Sequence, residues 1–195
     1  MNTSPKTDRN NFLSALFLIS FATLYCLPAL TAPFWGDGDG WSNLLPIIHY
    51  RKSILDEHTL PLFTDLWYGG WNQWQNPLWN FLYLPATIPW LIFPLTWGTR
   101  LVVFGHLIFS LFAGKKLASL FTRDEMLKTL TAIIFTSPML PALLPVHIEK
   151  ILAWGWVLLA LYFVLNTNLS PLRLGLYAGI SWGFIALTGA TYHGT

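Results

Sequence analysis

Charge is what this chain has least of. Of its 195 residues only 10% are Asp, Glu, Lys or Arg, against about 25% in ordinary soluble domains. Such a chain cannot be an intrinsically disordered one, which stays solvated through charge and a shortage of apolar groups. Eleven Lys and Arg against nine Asp and Glu leave a net +2, too weak a field for a nucleic-acid partner. Cysteine is almost missing too. Cys26 stands alone, so no intramolecular disulfide can form, and within its apolar run it reads as a small buried hydrophobe. There is no GxGxxG, no P-loop and no Cys-based metal motif, which removes the common nucleotide-binding and structural-zinc signatures.

What the chain has instead is apolar surface: 54% of residues, with the charges in clumps that leave 10–36, 66–99, 129–148, 151–172 and 174–195 uncharged. Crossing a hydrocarbon core of about 30 Å takes about 20 residues in a helix. The expectation is an all-α, polytopic transmembrane protein. The first span, 12–32, follows Lys6 and Arg9 but is too long for a signal-peptide core and lacks a small-x-small cleavage site, so it reads as an uncleaved helix or signal anchor. No lipidation signal is visible. Cleaner spans follow at 99–118, 127–145, 150–166 and 174–190. The last nearly reaches Thr195, and the expectation is one membrane domain over 1–195 that is a fragment of a larger protein.

Lys115, Lys116, Arg123 and Lys128 gather between two spans, while Lys6, Arg9 and Arg173 mark other polar ends. Cytoplasmic loops collect Lys and Arg. If 81–97 does not cross, every basic cluster falls on the cytoplasmic side, with 33–98 outside. That gives five spans, with the N-terminus inside and four of the spans within 99–195. Six spans, with 81–97 crossing, is the rival and places 115–128 outside.

The segment 33–65 is the polar heart of the chain. Gly36, Gly38 and Gly40 disfavour a helix there and let the backbone bend closely around a ligand or ion. Asn43 can then cap a helix with Pro46 in its first turn. Trp41, Leu44, Leu45, Ile48 and Leu55 recur at near-helical spacing, fitting a helix lying at the membrane interface or one packed on the rest of the domain. Eight of the eleven tryptophans lie between Trp35 and Trp97, as in an interfacial belt. Trp71 and Trp74 could also stack on sugar rings. Pro85, Pro89 and Pro94 make 81–97 either a kinked crossing or short helices folded against the membrane.

Asp37 and Asp39 are the first candidates for chemistry. At i and i+2 of an extended stretch, two carboxylates share a side and can divide general-base and metal-ligand duties, with Mg²⁺ or Mn²⁺ as the ion. Beside glycines they also read as an ordinary solvent-facing turn. His147 and Glu149 form a second pair, convergent only on extended backbone, able to bind a donor phosphate, orient an acceptor or ligate a metal. Otherwise Glu149 simply favours a helix N-terminus, with Lys150 offsetting its charge. Arg51, Lys52 and Arg100 are candidate phosphate contacts, or partners of lipid headgroups. His106, inside an apolar span, demands a polar partner or an internal water and reads as a packing histidine.

The order of features resembles the start of the polytopic glycosyltransferases with the C-type fold (GT-C), especially the bacterial YfhO-like members. The matching residues are Thr59-Leu60-Pro61-Leu62-Phe63, Trp67-Tyr68-Gly69-Gly70, Gln75-Asn76-Pro77 and Leu84-Pro85, then Phe135-Thr136-Ser137-Pro138, His147 and Trp154. The similarity covers nearly all of this chain but only the N-terminal part of a typical member. It implies a bacterial inner-membrane protein that moves a sugar from a polyprenyl-phosphate donor to a lipid or cell-envelope acceptor. Asp37 would be the loop base, and Asp39 a metal ligand or its neighbour. A transporter or channel fragment is the alternative, and a truncated, inactive membrane protein a third. Transporters place polar groups near midplane and repeat internally; no repeat is visible here.

Overall fold

The computed structural model describes residues 5–31, 39–64, 71–72, 80–138 and 148–188. Seven α-helices run in order: α1 (Pro5–Thr31), α2 (Asp39–Arg51), α3 (Leu84–Ile92), α4 (Leu95–Ala118), α5 (Glu125–Thr136), α6 (Ile148–Leu165) and α7 (Pro171–Leu187). The one departure from all-α is a two-residue antiparallel pairing of β1 (Phe63–Thr64) with β2 (Trp71–Asn72). Helices α1, α4 and α6 are long and apolar enough to cross a membrane. The chain is an all-α, polytopic integral membrane protein.

Helix α4 is the centre, packed against α1, α3, α5 and α6. Its Val102, Val103, Leu107 and Leu111 meet Leu18, Ala22 and Cys26 from α1, Trp90 from α3 and Leu152 from α6 in one buried cluster. Between membrane helices the oily solvent gives little drive to associate, so close backbone approach at small residues carries the packing. Three glycines show it. A Cβ on Gly98 would lie 2.8 Å from Pro89 O, one on Gly114 3.2 Å from Ala132 O, and one on Gly155 would overlap the Phe109 ring. Ser14 and Thr129 add a hydroxyl–hydroxyl bond of 2.6 Å between α1 and α5.

Helices α4 and α6 run parallel. Gly155 lies on Phe109, and Lys116 Nζ sits 5.3 Å from the Tyr162 ring centre, the same seven-residue step on both helices. Ile148 at the start of α6 therefore lies level with Val102, two turns into α4, toward the end of the bundle opposite Lys115 and Lys116. At the lysine end Glu125 joins α5 to α4 through Lys115 at 3.0 Å, and pairs within α5 with Lys128 at 2.6 Å. Burial raises its carboxyl, but the two lysines outweigh that and hold it below the usual carboxylate range. Asp124 caps α5 by accepting from Leu127 N–H at 2.8 Å.

Several local expectations need correction. Helix α2 starts at Asp39 instead of Asn43, so Gly40 is helical and Pro46 interior. Packing outweighs propensity: Ile47, Tyr50 and Ser53 are buried, with the Tyr50 ring 5.4 Å from Phe81. Of the expected apolar stripe, Ile48 and Leu55 are exposed and Leu45 is half-buried, Leu55 lying in the π turn Lys52–Asp56 that continues α2. Trp90 is not a belt residue but part of the core. The stretch 81–97 is α3, of nine residues and about 14 Å, followed by Pro94 and the start of α4, four residues before the expected span.

Candidate functional site

Arg51 ends α2, and its Nη1 donates to Trp90 O and to Phe93 O, the latter at 2.6 Å. The last carbonyls of a helix lack intrahelical donors and carry partial negative charge. The guanidinium supplies both hydrogen bonds and charge to that end of α3. Arg51 is thus a positioning residue for the α3–α4 turn, whatever else its remaining N–H groups meet.

Arg100 lies in the second turn of α4, buried, with its guanidinium carbon 4.9 Å from the Trp97 ring centre, one turn earlier. Such stacking holds a cation where water is scarce. Trp97 itself is exposed. Glu149, the second residue of α6, is 2% exposed, and the positive end of its own helix favours the carboxylate there. Because α4 and α6 are parallel and in step, Arg100 and Glu149 belong to the same end of the bundle. Lys150 faces outward.

Two of the candidates on α2 do not converge. Asp39 opens that helix and Arg51 closes it, a rise of about 18 Å, so their backbones stand at opposite ends of α2. Asp39 has helical rather than extended backbone. Asp37 and His147 lie outside the described residues, and with them the expected base, the expected metal pair and the His147–Glu149 pairing. Among the described residues, no three His, Cys, Asp or Glu side chains cluster to hold a metal ion. Both ends of the Phe135…Trp154 pattern do meet: Trp154 Nε1 donates to Phe135 O at 2.9 Å, closing the end of α5.

A polar chain that the sequence only half announced lies deeper. His106 has the partners its position demanded: Nδ1 is 2.6 Å from Val102 O, and Nε2 is 2.7 Å from Tyr83 Oη. Trp156 Nε1 donates to that same Tyr83 oxygen at 2.7 Å. A carbonyl only accepts and an indole N–H only donates, which fixes every proton. His106 carries its proton on Nδ1, Tyr83 gives its hydroxyl proton to Nε2, and Trp156 gives its own to Tyr83. Tyr83 belongs to no motif in the sequence; the signal for it is the need of His106 for a polar partner.

No family model, curated protein or solved structure matches this chain.

Proposed function

We propose that this membrane protein is a glycosyltransferase of the C-type-fold kind, or its N-terminal part, with five spans, at 12–32, 99–118, 127–145, 150–166 and 174–190, and its N-terminus in the cytoplasm. It transfers a sugar from a polyprenyl-phosphate donor to a lipid or cell-envelope acceptor at the outer face of a bacterial inner membrane. The observation that supports this most is the polarity of the bundle. Arg51 is held on the end of the short helix α3, and Arg100 and Glu149 lie at the end of the bundle opposite Lys115, Lys116 and the α4–α5 turn. A positive-inside orientation then turns the Arg100–Glu149 end outward. A lipid donor enters such a site sideways while its phosphate stays at the wet interface.

In this reading the Asp37 carboxylate takes the acceptor hydroxyl proton as that oxygen forms the new bond to the anomeric carbon. The bond from that carbon to the phosphate oxygen breaks, and the polyprenyl phosphate leaves with the electron pair. Arg100, with His147, meets the growing negative charge. Arg51 keeps α3 in place, and Glu149 orients the acceptor.

The test is sugar transfer by the intact protein in membranes, with abundance and donor binding measured separately. Asp37→Asn should lower turnover by about 100-fold or more at normal abundance. Near-normal turnover moves the base to Asp39, and near-normal turnover in the double variant removes the site. A transporter is the second reading, favoured by the buried His106–Tyr83–Trp156 chain within the bundle. Substrate-dependent uptake without sugar transfer would select it.

A further inference from the structure

A pocket of about 300 Å³ opens between α3, α4 and α6, with Tyr83, His106 and Trp156 at its base. Pro85, Leu101 and Gly105 form an exposed rim, whereas Tyr83 and His106 are buried. The rim lies on the outward surface of a membrane protein, so what reaches the pocket arrives through the lipid phase. Its volume is at the lower end of ligand sites and holds about ten water-sized groups. Among the described residues, no Asp, Glu, Lys or Arg lines it. An ionised headgroup would lose its hydration there with no charge in return.

The hydrogen-bond inventory narrows the ligand further. The Trp156 N–H, the Tyr83 O–H and the His106 Nδ1–H are each given to a partner within the chain. What is left over at the base is an acceptor: the second lone pair of Tyr83 Oη. A ketone, an ester or a carboxylate brings only acceptors and finds no donor to meet. A hydroxyl brings the missing one.

We propose that this pocket binds a medium-chain aliphatic alcohol, or the hydroxyl end of a longer one, by donation of its O–H to Tyr83 Oη with the alkyl chain leaving over Gly105. The site stands apart from the Asp37 chemistry and needs no sugar transfer.

The probe is decan-1-ol carrying a mid-chain diazirine, photolysed with the full chain in detergent micelles and mapped by peptide mass spectrometry. Matched diazirine versions of decane and decanoic acid serve as competitors of known partition. The alcohol should label the stretches holding Pro85 and Leu101–Gly105 above the decane level, and excess decan-1-ol should suppress that labelling. Tyr83→Phe should weaken it by about fivefold, the share of one hydrogen bond. Gly105→Leu should abolish it. A Cβ at Gly105 meets nothing within 4 Å, so the backbone admits a side chain there, and this variant, with its helicity checked by circular dichroism, decides the matter even if Tyr83→Phe fails to fold. Equal labelling by decane, preference for the acid, or indifference to Gly105→Leu each overturns the proposal.

Discussion

Gly98→Ala is the sharpest test of how α3 is seated. A methyl at Gly98 would stand 2.8 Å from Pro89 O and 3.2 Å from both Pro89 C and Trp90 Cα. Comfortable carbon contacts begin at about 3.5 Å, and all three neighbours are backbone, so no side chain can swing aside. Helix α3 must lift by more than half an ångström on the order of the missing clearance, and overpacking of this sort costs about 1–3 kcal/mol. Alanine returns up to about 1 kcal/mol of helix propensity, leaving a net loss of about 0–2 kcal/mol. Gly105→Ala on the same helix is the control. Its methyl meets nothing within 4 Å, so it keeps the propensity gain without the penalty. Reversible unfolding in mixed detergent and SDS micelles, followed by circular dichroism, should separate the two variants by about 1–3 kcal/mol. Equal stability would refute the close approach of α3 and α4. The same lift should loosen the hold of Arg51 on Phe93 O.

Two further perturbations address the polar chain and the basic end. Tyr83→Phe removes one hydroxyl but two hydrogen bonds. At about 0.6–1.7 kcal/mol per interhelical bond in membrane proteins, it should cost about 1–3 kcal/mol in the same unfolding assay, and a change within error would deny the chain any structural weight. Glu125 should make stability fall in acid. Its folded carboxyl lies below the ordinary value of 4.5, so the unfolded chain binds more protons near that pH. The stabilisation is complete above the ordinary value and is lost as pH drops through the folded one. Partial exposure keeps this under about 1 kcal/mol. Glu125→Gln should flatten that slope, and an unchanged slope would assign it elsewhere.

The long spans were legible because hydropathy is a one-dimensional signal: α4 and α6 lie within four residues of where charge-free runs put them. Helix α2 was legible only as a helix. Exposed Ile48 on α2 and Leu55 on the π turn that continues it carried the apolar periodicity, and the buried Tyr50 and Ser53 gave no such mark. Trp90 illustrates the same ambiguity, since an indole suits an interface and a core alike. His106 announced that it needed a partner but not which one. Its bond to Tyr83 spans 23 residues, and that of Trp156 to Tyr83 spans 73, and pairings at that distance follow from tertiary packing alone. Of the candidate site, Arg51 and Arg100 were legible as cations near the interface. That Arg51 holds the end of α3 depends on where that helix stops, which three prolines left open.

The shortness of α3 bears on how the protein is made. Helices α1, α4 and α6 each have the length and apolarity to settle in a bilayer by themselves. Nine residues do not reach across one, so α3 has no resting place of its own as the chain emerges during synthesis. It must be docked afterwards, by Gly98 of α4 and Arg51 of α2, and Tyr83 just before it gains its indole partner only when α6 is delivered. Biogenesis thus falls into two stages. Independent insertion of long helices comes first, and a later annealing closes the gap around α3 from residues made far apart in time.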